Sequence, residues 1–402
     1  YKSMFNILKG DKVLWVIIIL LSIFSFLPIY SASSNLVYVI GKGTPWSHLI
    51  KHFLILGIGF ILIYSIHKVP HNYFKGISIL LLPITFLLLI YTFSIGTRID
   101  GTIASRWIQI PIIGLSFQTS SLAFIVLMIY SAYYLAKIYG KNKSFKSTLI
   151  PFWLPISLII SLIIPSNLST AVLIFISVIL LSFIGGYPIK YLFSIFLFAF
   201  LFISVFIISA KAFPDKIPNR VDTWISRIEN FSDKKDLKGN YQIERAKIAI
   251  ASGEVFGLGA GKSRMKNFLP QSSSDFIYAI IVEEFGLIGG IVIIIFYLLI
   301  LYRITVISFK AKTIFSKLLV IGLGLPIITQ AFINIGVALQ VFPVTGQTLP
   351  LISSGGTSAW MTCISIGIIL SVSINNNIND NNNNEVKNVN DKNPIRILSE
   401  TI

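Results

Sequence analysis

The sequence predicts an all-α integral membrane protein of ten transmembrane helices, with a large extracytoplasmic loop between helices seven and eight. Three observations carry this. First, 54% of the 402 residues are apolar and only 12% are charged, whereas soluble domains run at roughly a quarter charged. That excludes an ordinary soluble enzyme, and disorder over most of the chain. Second, the apolar residues fall in runs long enough to cross a bilayer, which takes about 20 residues as a helix. Third, the basic residues sit in alternate loops. There are 33 of them against 16 acidic ones, a formal net charge of +17. In a soluble chain this excess would suggest nucleic acid. Here much of it follows from retention of Lys and Arg on the cytoplasmic side, and no nucleic-acid partner is expected. One cysteine, Cys363, and four histidines exclude a disulfide framework and a cysteine- or histidine-rich metal cluster.

Taken in order, the spans are about 12–33, 48–66, 76–95, 117–136, 148–164, 168–186, 190–210, 276–302, 315–335 and 358–375. The first is too long for the apolar core of a signal peptide, and Pro28 to Ser34 offers no clear small-x-small cleavage site. With the N-terminus inside, the inner face holds Lys2, Lys9, Lys12, Lys68, Lys75, Lys137, Lys141, Lys143, Lys146, Lys190, Arg303, Lys310, Lys312 and Lys317. Asp11 is the acidic exception among these loops. Ten spans return the C-terminus to the cytoplasm, so both termini are expected inside.

The polytopic membrane unit covers 1–375 and includes the outer loop at 211–275. That loop holds twelve basic and eight acidic residues, half of all the acids in the chain. A loop this long can translocate regardless of charge, and loops of this length are usually functional. Two amphipathic stretches lie in it, both suited to the membrane interface. One spaces Trp224, Ile228 and Phe231 helically, and the other Ile243, Lys247 and Ile250. Residues 376–402 are Asn-rich and read as a disordered cytoplasmic tail.

Polar groups at a bilayer are costly, so each polar cluster is a functional candidate. Arg106 beside Trp107 suits either an interfacial anchor or a fixed cation facing an anionic headgroup. Gly257, Gly259 and Gly261 precede Lys262, Ser263, Arg264 and Lys266. This is no P-loop, because Phe256 stands where the GxxxxGK[ST] spacing needs Gly. Flexible glycines with three cations suit a pyrophosphate, or else a solvated basic turn. Asp275 stands where the wet loop meets span eight, as a functional carboxylate, a helix N-cap, or both. Glu283 and Glu284 lie two turns deeper, where at least one must face the interior with a partner that the sequence does not identify. Finally, Asn334–Gly336, Pro343–Pro350 and Ser353–Ser358 are too rich in Gly and Pro for a regular span. Irregular backbone at membrane depth lines a cavity or is buried in protein.

These motifs together resemble the SEDS family (shape, elongation, division and sporulation), and within it the FtsW-type division members. The resemblance covers roughly residues 11–373. It is carried by Ser105–Ile108 with Phe117-Gln118, Gly257–Ser263, Leu269-Pro270 through Asp275–Tyr278, Glu283–Gly286, Asn334–Gly336, and Leu349-Pro350 through Ser353–Gly356. It implies ten membrane helices with a large outer loop after the seventh. It also implies a peptidoglycan glycosyltransferase that polymerises lipid II, a disaccharide-pentapeptide on undecaprenyl pyrophosphate, at the outer membrane face during division. The implied partners are a class B penicillin-binding protein, other division proteins and membrane lipids.

The family's essential acid falls on Asp275. The substrate-binding candidates are Arg106, Gln118, Gln242, Lys247, Lys262, Ser263, Arg264, Lys266, Ser354, Gly355 and Gly356. A divalent cation, Mg2+ or Mn2+, is admissible; no other cofactor is implied. The chain departs from the family on helix four, where the usual Glu and Lys read Ser121 and Phe124. It departs again where the usual Asp of Pro-Asp-Leu-Gly-Thr reads Asn167, and where Gly-Gly reads Gly253-Glu254.

In such a reaction a sugar 4-hydroxyl attacks the C1 bearing the lipid pyrophosphate. The hydroxyl needs a base and the leaving group needs positive charge. The rival readings are a lipid-linked precursor flippase or transporter, for which broken helices and deep acids also suit, and a non-catalytic divisome scaffold.

Overall fold

The computed structural model describes residues 8–38, 44–95, 107–110, 115–141, 144–212, 221–232 and 241–391. In chain order the helices are α1 (Lys12–Tyr38), α2 (Pro45–Ile66), α3 (Tyr73–Ile95), α4 (Thr119–Ile138), α5 (Phe145–Ile163), α6 (Leu168–Ile184) and α7 (Ile189–Ala212). There follow α8 (Val221–Ser232), α9 (Tyr241–Gly253), α10 (Ile277–Lys310), α11 (Ile314–Ala338) and α12 (Thr357–Asp391). Among the described residues, nine helices are long and apolar enough to cross a membrane, and α6 is a shorter apolar helix. The chain is an all-α, multi-pass membrane protein. Of α12, Thr357–Ile374 is the apolar part; its backbone stays helical through the Asn-rich stretch to Asp391.

Short polar side chains set the helix starts. Thr44 and Ser47 form a reciprocal capping box, with Pro45 pre-set for the first turn. Asn167 caps α6 through the Thr170 N–H, and Thr313 caps α11 through Ser316. Asp11 caps α1 through the Leu14 N–H at 2.9 Å. It also pairs with Arg303 of α10, while its own N–H donates to Ser373 of α12 at 2.8 Å. The acidic exception among the inner loops therefore ties three helices at one end of the bundle.

Three features differ from the expected pattern. Trp107–Ile110 and Leu115–Gln118 form a small antiparallel hairpin, with Trp107 opposite Gln118. Its second strand is stitched to α12, because the Gln118 N–H donates to the Thr357 hydroxyl. In α5 the turn Leu149–Trp153 is a π-helix. Pro151 lacks an N–H and crowds the carbonyl one turn back, and the widened turn absorbs it. Third, α10 is broken at Gly286, whose φ of 68° and ψ of −171° are not helical.

That break is splinted by the segment after α9. Leu258 and Gly259 N–H groups donate to the carbonyls of Glu283 and Glu284 at 3.0 and 2.9 Å. Leu287 and Ile288 N–H groups donate to Glu254 and Val255 carbonyls at 2.9 and 3.3 Å. The backbone groups freed by the break are thus paired within the protein, which a membrane interior demands. Helix α9 itself buries Ile243, Ala246, Ala249 and Gly253 and packs along α10. It is a packed helix, not a stretch lying free in the interface. Lys247 faces outward from it. On α8, Val221 and Trp224 are buried.

Candidate functional site

Asp275 lies in a turn that spans 271–276, just before α10. The N-cap of α10 is Phe276, which makes no side-chain cap bond. Asp275 therefore stands one residue outside the N-cap position expected for it, and is half-buried. Its N–H donates to the Gln271 carbonyl at 3.1 Å. The carbonyls of three consecutive turn residues each receive a donor from the opposite wall. Ser354 N–H reaches Ser273 O at 2.9 Å, Ser353 Oγ reaches Ser274 O at 2.6 Å, and Asn334 Nδ2 reaches Asp275 O at 2.9 Å. Two clusters read separately in the sequence, the serine–aspartate turn and the Gly/Pro-rich stretch, are one structure here.

The Asp275 carboxylate borders a cavity. A Cβ built at Gly346 would stand 3.5 Å from Asp275 Oδ2, and Gly346 lines that cavity. The space is about 650 Å³, part of it open to solvent, between α4, the start of α6, α11 and α12. Near Asp275 the lining is amide and hydroxyl, including Gln118, Asn167, Thr170, Gln330, Gln347 and Ser358. Ile125, Met128, Leu323 and Ile327 also line it, together with Thr362 and Ser365. Several of the polar groups are held in place. Gln347 Nε2 donates to Thr170 Oγ1 at 3.2 Å, Gln330 Nε2 to Thr348 O at 3.0 Å, and Gln118 Nε2 to Ser120 Oγ at 3.0 Å. A lining that mixes amide and hydroxyl groups with apolar side chains suits an amphiphile.

Ser121, Phe124 and Asn167, the positions that depart from the family, all line this cavity. Ser121 donates to Gln118 Oε1 at 3.3 Å. Ser121→Glu places a carboxylate here without its cation, and the unfolding free energy in detergent should fall by about 3 kcal/mol, the lower end of the cost of an unpaired buried charge. Adding Phe124→Lys should recover part of that loss. A single Glu with no effect would mean that cavity water hydrates it and that pairing is irrelevant.

The glycine turn packs against the two deep acids. Glu283 and Glu284 are both buried, and the turn caps them. Glu283 Oε1 accepts the Arg264 and Met265 N–H groups at 2.8 and 3.1 Å, and Oε2 accepts the Ser263 hydroxyl. Glu284 Oε1 accepts the Ser263 N–H at 3.3 Å and the Ser31 hydroxyl from α1. The partners that the sequence could not identify are thus backbone amides of the turn, in an arrangement that binds anions, with the hydroxyls of Ser263 and Ser31. Ser263 is buried in this contact, and its amide is not presented to a substrate. Lys262 and Arg264 side chains remain exposed, while Lys266 Nζ donates to the Gly261 carbonyl at 2.8 Å.

Of the other candidates, Gln118 alone lines the cavity. Ser354 supports the Asp275 turn through its N–H, and Gly355 and Gly356 precede α12. Gln242 is half-buried on α9, and Arg106 lies outside the described residues. The structure also brings in residues the sequence reading missed. Gln330 and Gln347 carry no motif signal beyond being polar in an apolar or Gly/Pro-rich stretch. Arg227 of α8 reaches the Val344 carbonyl at 3.0 Å. Among the described residues no three His, Cys, Asp or Glu converge.

Fold and site define a class: a multi-pass membrane protein in which a single clamped carboxylate overlooks a cavity of mixed polar and apolar lining. The chain belongs to the FtsW/RodA/SpoVE family of cell cycle proteins, whose family model matches residues 11–378. Among its relatives is a probable peptidoglycan glycosyltransferase FtsW from Wigglesworthia glossinidia brevipalpis, 31% identical over 92% of this chain and 94% of that one. Another, of the same description, is from Coxiella burnetii, 32% identical over 89% of this chain and 95% of that one. The fold matches a chain of a peptidoglycan synthase complex that coordinates polymerization and crosslinking (TM-score 0.67, 21% identity, 91% of this chain and 98% of that one). It also matches the rod shape determining protein RodA of Thermus thermophilus (TM-score 0.64, 22% identity, 90% and 96% covered).

Proposed function

We propose that the chain is a peptidoglycan glycosyltransferase that polymerises lipid II at the outer face of the bacterial cytoplasmic membrane during cell division. The observation that carries this reading is Asp275, in a turn clamped through the carbonyls of residues 273–275 beside a cavity of mixed polar and apolar lining. The acceptor's sugar 4-hydroxyl attacks C1 of the donor. Asp275 takes the hydroxyl proton as the C–O bond forms. The C1–O bond to the lipid pyrophosphate breaks, and its electron pair leaves with the phosphate oxygen. Pyrophosphate is a good leaving group, so one carboxylate suffices where glycosidases use two.

Lys262 and Arg264, exposed on the outer loop, and Arg106 are the cations offered to the departing pyrophosphate. The amide and hydroxyl groups take sugar, and the apolar surfaces take the polyprenyl chain. A class B penicillin-binding protein crosslinks the product. The transporter reading drew on Glu283 and Glu284, and their caps within the glycine turn favour packing over carriage. Lipid II polymerisation by the purified protein, with and without its transpeptidase, tests the proposal. Absence of glycan product in both would remove it.

Orientation is part of the same reading, with both termini inside and 211–275 outside. The native cysteine, Cys363, is buried, so a cysteine introduced at position 235 should react with an impermeant thiol reagent from the outer side. Labelling from the inner side alone would reverse the topology.

A further inference from the structure

Asn334 lies near the end of α11 and is 1% exposed. Its single Nδ2 donates to two carbonyls from segments far apart in sequence, Asp275 at 2.9 Å and Gln347 at 2.7 Å. Both acceptors flank the Asp275 carboxylate. One is that residue's own backbone. The other follows Gly346, the residue against which Oδ2 lies. A carboxamide nitrogen carries two N–H groups at a fixed angle, so the two bonds together set the spacing of the acceptors. A serine has one donor, and a lysine would bring a charge into a buried place.

A second observation weighs against simple packing. Asn334 Oδ1 is buried and has no partner among the described residues. An orphaned buried acceptor costs about 1–3 kcal/mol, which an apolar side chain of the same size would avoid. The costly amide is kept where its two donors grip the turn and the loop. Ser353 and the Ser354 N–H hold the two preceding carbonyls, but both come from the irregular loop. Asn334 brings the grip of a packed membrane helix.

We infer that Asn334 is a positioning residue, holding Asp275 at a fixed distance from the Gly346–Gln347 wall of the cavity. The inference rests on the reading of Asp275 as the base. Misplacing a catalytic group by about 1 Å costs on the order of 10²-fold. The test is lipid II polymerisation by the full chain with its transpeptidase, measuring kcat, KM and the thermal midpoint for Asn334→Leu, Asn334→Asp and Asn334→Gln. Leu and Asp at 334 should lower kcat by about 10–100-fold with KM little changed, the pattern of a contact that matters in the transition state alone. Gln, which keeps both donors, should recover part of the rate.

A parental kcat in the Leu variant would overturn the inference. So would a fall in kcat that only tracks loss of folded protein. Asp275→Asn is the control for the underlying reading. If it polymerises at the parental rate, the base is elsewhere and the positioning role goes with it. If it is inactive while the Asn334 variants are not, only the positioning role fails.

Discussion

Asp275→Asn should lower lipid II polymerisation by about 10²–10⁴-fold, the usual worth of general-base catalysis. Asn keeps the size and one acceptor oxygen but cannot take the proton from the attacking hydroxyl. Folding should survive. The turn around residue 275 is held through backbone groups, with its N–H on Gln271 and its carbonyl under Asn334, and these bonds do not depend on the side chain. The side chain is also not the cap of α10, since Phe276 occupies that position. Capture of the transpeptidase should therefore persist. Asp275→Glu should also fail largely, because the added methylene moves the oxygen by about 1 Å against Gly346 and the cavity wall. Two results would defeat the assignment. A parental rate would move the base elsewhere. Aggregation or loss of the partner would make Asp275 structural. Glu283, the neighbouring deep acid, is a poor substitute, because Ser263, Arg264 and Met265 already cap both of its oxygens.

Much of this was legible in the sequence for physical reasons. Apolar runs locate helices because desolvation acts on residue type alone. The shared face of Ser121 and Phe124 follows from their spacing on a helix, and both line the cavity. The partners of Glu283 and Glu284 were not legible. Every residue but proline carries an N–H, so the backbone part of the cap leaves no mark in residue identity, and the Ser31 hydroxyl on Glu284 comes from 253 residues away in sequence. The same applies to the clamp on the Asp275 turn, where the acceptors are carbonyls. The hairpin at 107–118 was hidden by strands of only four residues each. The cavity lining was hidden because neutral Gln and Ser carry no charge signal. The break in α10 was hidden too, because hydropathy averages straight across Gly286 within one apolar run.

That break yields the second large expected effect. Gly286→Ala should destabilise the fold by about 4 kcal/mol or more, in the exceptional range for a single substitution. At φ 68° and ψ −171°, Gly286 occupies backbone space that is essentially glycine-only and costs on the order of 1–3 kcal/mol for other residues. Sterics add to this, since a Cβ would collide with the Val255 carbonyl and the Gly257 N–H group. Relief requires either straightening α10 or expelling the 254–259 segment. Either move breaks the four backbone bonds that splint the helix and strands the groups they pair. It also pulls the glycine turn away from Glu283 and Glu284, leaving two buried carboxylates without their caps. Gly57→Ala is the matched control, because nothing stands within 4 Å of its added Cβ. Denaturation midpoints and gel-filtration profiles in detergent, with both variants against the parent, would decide it. The expected result is a parental Gly57→Ala and a Gly286→Ala that is aggregated or sharply less stable. If the two alanines behave alike, α10 runs unbroken through Gly286 and the splint is not part of the folded protein.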